Sequence, residues 1–292
     1  MIKSLIKEIL CLTPLVFRVK LKFYLRNKYT PNIVSPTTFN EKITYRKMYD
    51  DNDLFVLCAD KYGVRDYVAS KVGEQYLIPL VYHGVDITPD IIKSTFEKHG
   101  KCVFKVNHNS GGIFFVRNVD NINLEKLCLD IKKQYVKKYG KYHDEMWYDK
   151  IVPTIIAEKL ILNKNGSVPE DYKFHIFRSN GDLKIIIQVD YDRFTGHNRT
   201  FYNTEGEVLP YVNKYPNKFR PFEDVDRIQQ MLPIALKLSE DFDYTRVDLY
   251  NVDGKVYFGE LTFSHGSGLD NFENYEQDLE WGNFWSGFRK NE

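Results

Sequence analysis

Two pairs of strands joined by short turns constrain this chain more than any other feature. Tyr172 to Phe177 and Leu183 to Val189 are linked through Ser179-Asn180-Gly181, and Tyr244 to Tyr250 and Lys255 to Thr262 flank Asp253-Gly254. Strands joined by so few residues pair antiparallel, because a parallel pair needs a crossover of a dozen or more residues. Further strands read at Cys102 to Val106, Gly111 to Val116 and Ile155 to Leu162. Helices read at Asp60 to Ser70, from about Leu124, and at Asp226 to Glu240, where Pro233 predicts a kink. Without regular βαβ alternation, the fold class is α+β rather than a doubly wound sheet.

Charge and cysteine content narrow the function. The 292 residues carry 41 Lys plus Arg against 40 Asp plus Glu, a balance that argues against a dedicated nucleic-acid binder. Cys11, Cys58, Cys102 and Cys128 form no CxxC pair, which argues against a zinc ribbon or disulfide scaffold and fits a reducing cytosol. No stretch is long enough to span a membrane: the apolar run Ile9 to Phe17 is about half of the ~18 residues required, and Pro14 interrupts it. Residues 1–28 are nevertheless basic, with Lys3, Lys7, Arg18, Lys20, Lys22, Arg26 and Lys28 against Glu8 alone. They read either as an amphipathic helix drawn to an anionic membrane surface or as a basic helix packed on the domain. The lysines from Lys132 to Lys141 suit the solvated C-terminal end of the helix begun near Leu124.

The last hairpin concentrates the chemistry. Side chains alternate across a strand, so Arg246 and Asp248 share one face, and Glu260 and Thr262 share a face on the next strand. Two carboxylates on one face repel unless a cation lies between them, and hard oxygen ligands suit Mg²⁺ completed by water and phosphate. A surface salt-bridge ladder around Arg246 is the simpler reading. For the two acids to meet, the loop must have an odd number of residues. A three-residue loop, Val252-Asp253-Gly254, would set Asp248 opposite Phe258 and Arg246 opposite Glu260, whereas Asp-Gly alone favours a two-residue turn.

Upstream, Lys105 leaves a strand beside Ser110-Gly111-Gly112, where an ammonium and backbone N–H groups can meet phosphate oxygens. Taken alone, this is a hairpin turn; neither a P-loop nor a GxGxxG pattern occurs.

Six pieces occur in order: Asp60-Lys61 through Arg65, Phe104-Lys105 with its glycine turn, Glu158-Lys159-Leu160, Asp171 to Phe174, Arg246 to Asp248, and Gly259-Glu260 to Phe263. In this order and spacing they resemble the ATP-grasp superfamily, and within it the TupA-like branch associated with teichuronopeptide and capsular polysaccharide biosynthesis. The resemblance runs from about Phe39 to Phe272. It implies two α+β subdomains gripping ATP: a helical basic segment at 1–58, a reduced pre-ATP-grasp region at 59–100, a small lid subdomain at 101–157 and a large subdomain with the metal site at 158–292.

The resemblance also implies roles. Lys61 and Lys105 hold ATP phosphates, with Ser110, Gly111 and Gly112 as a mobile lid. Glu158, Lys159, Leu160 and Ile161 form the hinge that reads adenine, and Asp171 touches ribose. Lys173 is the candidate for a further phosphate contact, with Arg199 competing for that role. Asp248, Glu260 and Thr262 match the ligands of two Mg²⁺ ions, with Thr262 where the superfamily usually has Asn. Arg246 matches the arginine beside the acyl-phosphate. Backbone N–H groups of Gly266, Ser267 and Gly268 face the developing oxyanion, and His265 is either an acceptor of the amine proton or a satisfied loop histidine.

The implied reaction joins a carboxylate to an amine through an acyl-phosphate, with a uronic acid or other glycan carboxylate as acceptor. The cysteines point to the cytoplasm, and the membrane-surface reading of residues 1–28, if it holds over the packed-helix one, adds peripheral contact at the inner membrane face. A rival reading takes Asp190-Tyr191-Asp192 as the DxD motif of a metal-dependent glycosyltransferase, although Asp51-Asn52-Asp53 satisfies the same pattern. A third reading is a non-catalytic nucleotide-binding module.

Overall fold

The computed structural model describes residues 13–179, 181–191 and 196–288. In chain order the elements are α1 (Leu15–Asn27), α2 (Phe39–Tyr49), α3 (Asp53–Ala59), α4 (Val64–Val72), β1 (Leu80–Gly84), α5 (Pro89–His99), β2 (Cys102–Val106), β3 (Ile113–Val116), α6 (Leu124–Tyr135), α7 (Tyr139–His143), β4 (Ile155–Lys159), β5 (Asp171–Ser179), β6 (Asp182–Tyr191), β7 (Asn198–Tyr202), β8 (Val208–Leu209), α8 (Val225–Leu238), β9 (Tyr244–Val252), β10 (Lys255–Thr262) and α9 (Tyr275–Phe284). This is the α+β class expected, and all sheet pairings are antiparallel. The chain divides into two compact units, one of residues 52–141 and 146–169, the other comprising the remainder.

The smaller unit is a four-stranded sheet in the order β1-β4-β2-β3. Cys102, Phe104 and Val106 of β2 alternate inward with Ile155 and Ala157 of β4, and pack against Ile92 of α5 and Cys128 and Ile131 of α6. The helices start where capping chemistry places them: Thr88 caps α5 ahead of Pro89, and Asn123 caps α6. The helix expected over Asp60 to Ser70 is instead a turn followed by α4, and the strand from Ile155 ends at Lys159 rather than Leu162. Beyond Lys159 the chain leaves the ladder, and the Leu160 N–H donates to Lys101 O at 2.9 Å.

The larger unit is built on a six-stranded sheet, order β10-β9-β5-β6-β7-β8. On one face, Tyr172, Phe174 and Ile176 stand in register with Leu249, Val247 and Thr245. The apolar stripe of α8 (Ile228, Met231, Ala235, Leu238) is buried where the helix packs on β9, and the helix is continuous across Pro233.

The other face is divided along its strands. Toward one end Phe177, Tyr244, Ile186 and Phe201 join Phe39 and Ile43 of α2 with Trp281 and Trp285 in an aromatic core. The Phe39 ring meets Phe177, Tyr244 and Trp281 edge-on at 5.1–5.9 Å. The other end of this face is polar.

Helix α2 is buried along nine consecutive residues, Phe39 to Lys47. It begins with a capping box between Thr38 and Glu41. Its cations are buried because each reaches an acceptor: Lys42 donates to Gly282 O and Trp285 O, both at 2.8 Å. Arg46 lies 4.3 Å over the Trp285 ring and donates to Tyr244 O. Helix α1 rests on the same unit through Val19 and Phe23, and Arg18 and Lys22 pair with the buried Asp144 at 2.7 and 2.8 Å.

Candidate active site

Three rungs of the larger sheet form a charged floor. Across the strands, Thr262, Arg246 and His175 make one rung, Glu260, Asp248, Lys173 and Gln188 the next, and Tyr250, Asp171, Asp190 and Arg199 the third. The first two rungs exist in this form because of one glycine. The Asp253-Gly254 turn has two residues, both at positive φ (52° and 90°), so the odd-length loop does not occur. Parity is restored farther along, where Gly259 bulges between Phe258 and Glu260 and brings Glu260 directly opposite Asp248 and Thr262 opposite Arg246. A Cβ at position 259 would lie 3.0 Å from Asp248 O and 3.1 Å from the Tyr250 ring, so a side chain there would press on the bulge.

Arg246 organises the floor. Its Nε and Nη2 donate to the two oxygens of Asp248 at 2.7 Å each, and Nη2 also reaches Glu260 Oε1 at 2.6 Å. Its Nη1 donates to His265 Nδ1 at 2.9 Å. A guanidinium has no acceptor, so Nδ1 is unprotonated and Nε2–H faces Asn213 Oδ1 at 3.4 Å. Burial, reinforced by His175 and Arg246, holds His265 neutral, far below the usual imidazole range. It is bonded at both nitrogens, as the reading of a satisfied loop histidine expects.

Burial alone would lower the Lys173 ammonium, but Asp171 and Asp248 outweigh it and raise its pKa. Its Nζ pairs with Asp171 and stands 3.3 Å from Asp248 Oδ2. Arg199, the competing candidate, is bound to Asp190 at 2.7 Å and to Asn213 at 2.9 Å. Asp190 is held low by Arg199 and Lys173 against the effect of its burial. Gln188 and His197 also approach it. The Asp190 half of the DxD reading is thus engaged in ion pairs, and Asp192 lies outside the described residues. In the alternative Asp51-Asn52-Asp53, Asn52 caps α3.

Asp248 and Glu260 supply hard, opposed oxygen donors, Glu260 about half exposed, with Thr262 Oγ1 3.2 Å from Glu260 Oε1. Among the described residues no three His, Cys, Asp or Glu side chains gather as a metal cage. The donor set fits Mg²⁺ held by one or two carboxylates and completed by phosphate and water.

The loop of Gly266, Ser267 and Gly268 follows β10 and docks on α2, where a Cβ on Gly268 would meet Asn40 O at 2.9 Å. All three residues have positive φ. The Ser267 N–H donates to Ser264 O at 2.8 Å and its hydroxyl accepts from Lys47 at 3.0 Å, so Ser267 does not offer its N–H to an oxyanion as expected.

In the smaller unit Lys105 and Glu158 meet on adjacent strands at 2.7 Å, and Arg65 takes the other Glu158 oxygen at 3.1 Å. Lys61 donates through Nζ to Asn109 O and through its backbone to Asn107 O. Ser110, Gly111 and Gly112 form the turn into β3, with φ of 101° and 64° at the glycines. The N–H groups of Lys159 and Leu160 donate to Pro79 O and Lys101 O. Those two donors are committed within the unit, which narrows the expected backbone reading of adenine by residues 158–161.

Sequence reasoning passed over four buried members of the floor: His175, Gln188, Asn213 and Tyr244. Tyr244 bonds His175 Nδ1, His175 Nε2 bonds Gln188, and Gln188 bonds Asp190, all within 3.1 Å. Alternation from Asp171 and Lys173 already put His175 on their face; Asn213 lies in a loop with no such signal.

The model for the TupA-like ATP-grasp family matches residues 41–285. Among solved structures, D-alanine–D-alanine ligase from Helicobacter pylori superposes with a TM-score of 0.53 at 15% identity, covering 85% of this chain and 68% of that one. The D-Ala:D-Ser ligase from Enterococcus faecalis gives 0.46 at 12% identity over 80% of this chain and 61% of that one. The N5-carboxyaminoimidazole ribonucleotide synthetase from Thermus thermophilus gives 0.44 at 13% identity over 83% and 54%. The chain thus spans between about half and two thirds of the lengths of these structures. Comparison with curated protein sequences returned no match. With its family model matching from α2 through α9, and two antiparallel units of the fold seen in the Helicobacter ligase, the chain belongs to the TupA-like ATP-grasp family.

Proposed function

We propose that the protein is an ATP-dependent carboxylate–amine ligase that joins an amino acid or other amine to a uronic acid, or another carboxylate, of a surface polysaccharide precursor, working in the cytoplasm. The observation that carries this reading is Arg246, buried and held against both Asp248 and Glu260, beside Lys173. The family and the Helicobacter ligase fold support it.

A carboxylate oxygen of the acceptor attacks the γ-phosphorus of ATP, and the bond from that phosphorus to the β,γ-bridging oxygen breaks. The amine nitrogen then attacks the acyl carbon, phosphate leaves with the former carboxylate oxygen, and the amine proton passes to water. Catalysis of this kind is mostly positioning and charge stabilisation, which suits a site of fixed cations without a nucleophilic triad. Arg246 has a planar, permanently charged group, and its ties to Asp248 and His265 hold it ready to bind the oxygens of the acyl-phosphate. Asp248 and Glu260, with Thr262, would hold Mg²⁺, which would supply charge neutralisation at the phosphates. Lys61, Lys105 and the 110–112 turn would bind phosphate oxygens, Glu158 to Ile161 the adenine, and Asp171 the ribose. Lys173 would make the remaining phosphate contact, with Arg199 as its rival; each is paired with a carboxylate, Lys173 with Asp171 and Arg199 with Asp190.

The test is phosphate release from ATP across a panel of uronic acids and amines. Release that requires one carboxylate and one amine together supports the ligase. Thermal stabilisation by nucleotide-sugars and not by Mg-ATP would overturn it in favour of a glycosyltransferase.

A further inference from the structure

The first described helix turns an apolar face to solvent. In α1, Arg18, Val19 and Phe23 are buried against the larger unit. At 100° per residue the opposite face carries Phe17, Lys20, Leu21 and Tyr24, flanked by Val16 and Leu25. Phe17 is 58% exposed, Leu25 56%, Tyr24 52% and Val16 43%. Four large apolar side chains in under three turns form a patch of the kind that marks an interaction surface rather than scattered exposure.

Charge identifies the occupant. The helix contains no acidic residue, and its cations divide in two. Arg18 and Lys22 are spent on the buried Asp144, while Lys20 and Lys28 are exposed on the side of the apolar patch and Arg26 is exposed in the last turn. The preceding sequence adds Lys3 and Lys7 against Glu8. A second copy docked on this face would set Lys20 and Lys28 against themselves. An anionic bilayer satisfies both halves of the patch, acyl chains taking Phe17, Leu21 and Leu25, and headgroup phosphates taking the cations, with Tyr24 at the boundary. We propose that α1 is a membrane-surface docking helix that holds this protein on anionic lipid through the face formed by Phe17, Lys20, Tyr24 and Leu25. The ammonium groups supply long-range attraction and the apolar side chains supply retention, so neither alone suffices.

The experiment is co-sedimentation of the full chain with vesicles of phosphatidylcholine, alone or mixed with phosphatidylglycerol, at low and high salt. The expected result is binding to the anionic vesicles only, falling at least tenfold as salt screens the exposed charges. Phe17→Gln with Leu25→Gln should abolish it. Lys20→Gln should weaken it by about fivefold, as expected for one charge near an anionic surface. All these positions are exposed, so the variants should melt at the wild-type temperature. Equal recovery on neutral and anionic vesicles, recovery on neither, or wild-type binding by the Phe17/Leu25 variant overturns the proposal. So does a lipid-free dimer that the Phe17/Leu25 variant dissociates, which would make a second copy the occupant.

Discussion

Glu260 lies directly opposite Asp248 only because Gly259 bulges out of the ladder between β9 and β10. The two-residue Asp253-Gly254 turn would otherwise send Glu260 to the face packed under α8. Inserting one residue between Gly259 and Glu260 should therefore abolish stabilisation by Mg-ATP, because with the bulge kept it sets Glu260 opposite Val247 and off the floor, whereas deleting Gly259 should leave Glu260 opposite Asp248 in an unbulged ladder. Gly259→Val should lower stability by about 1–3 kcal/mol, since its side chain meets Asp248 O and the Tyr250 ring. Thermal melts with and without Mg-ATP read these effects; an unchanged Mg-ATP shift in the insertion variant would exclude the Asp248–Glu260 pair as the metal site.

Arg246 is bonded to Asp248, Glu260 and His265 at once. A lysine has one point charge and cannot reproduce that fork, so Arg246→Lys should lose most activity rather than act as a conservative change. Arg246→Ala should lower turnover roughly 10²–10³-fold, the usual cost of removing a group that stabilises developing charge. It should also destabilise the fold by about 3 kcal/mol, because Asp248 is left buried with Lys173 as its nearest cation. Turnover by Arg246→Lys at the wild-type rate would show that the bidentate geometry is not used.

Removal of the phosphate lysines should act on binding. Lys105→Met or Lys61→Met should weaken ATP binding by at least tenfold, about 1.4 kcal/mol, with the fold intact. In Lys105→Met the Glu158 carboxylate keeps Arg65 as a partner, which protects the sheet. Isothermal titration with ATP checks this, and wild-type affinity in both variants would remove the two lysines from the site.

Asp278 gives a pH dependence with a definite sign. It accepts from the Asn40 backbone at 2.9 Å and from the Asn40 and Tyr29 side chains at 2.8 Å, yet burial holds its carboxyl up at about 6. The folded chain thus binds this proton more tightly than the unfolded chain, where the value is about 3.9. Its contribution to stability is full below about pH 4 and is lost as pH rises through about 6. Asp278→Asn lacks that loss, so wild-type stability minus variant stability should fall across this window. A difference that rises from pH 4 to 6 would reverse the assignment.

The hairpins and their polar face were legible because each rests on local rules: alternation across β5, β6, β9 and β10, and turn residues at 181 and 253–254. The register between Asp248 and Glu260 was misassigned at the loop. Its real device, an isolated glycine inside a strand pattern, is a recognised bulge signal. Helix α2 illustrates the opposite case. Its capping box is visible as Thr38 and Glu41, but nothing local shows that Lys42, Arg46 and Lys47 are buried. Their acceptors lie at Gly282, Trp285, Tyr244 and Ser267, some two hundred residues away. The same long-range logic hides Asn213, which matters only because Arg199 and His265 converge on it.

The origin of the oxygen in the released phosphate tests the acyl-phosphate account most directly. Uronic acids labelled with ¹⁸O in the carboxylate are incubated with ATP, Mg²⁺ and the amine panel, and the phosphate is analysed by mass spectrometry. The account predicts that phosphate formed by the productive pair carries one ¹⁸O from the carboxylate. Phosphate lacking the label, despite ATP consumption and product formation, would contradict it.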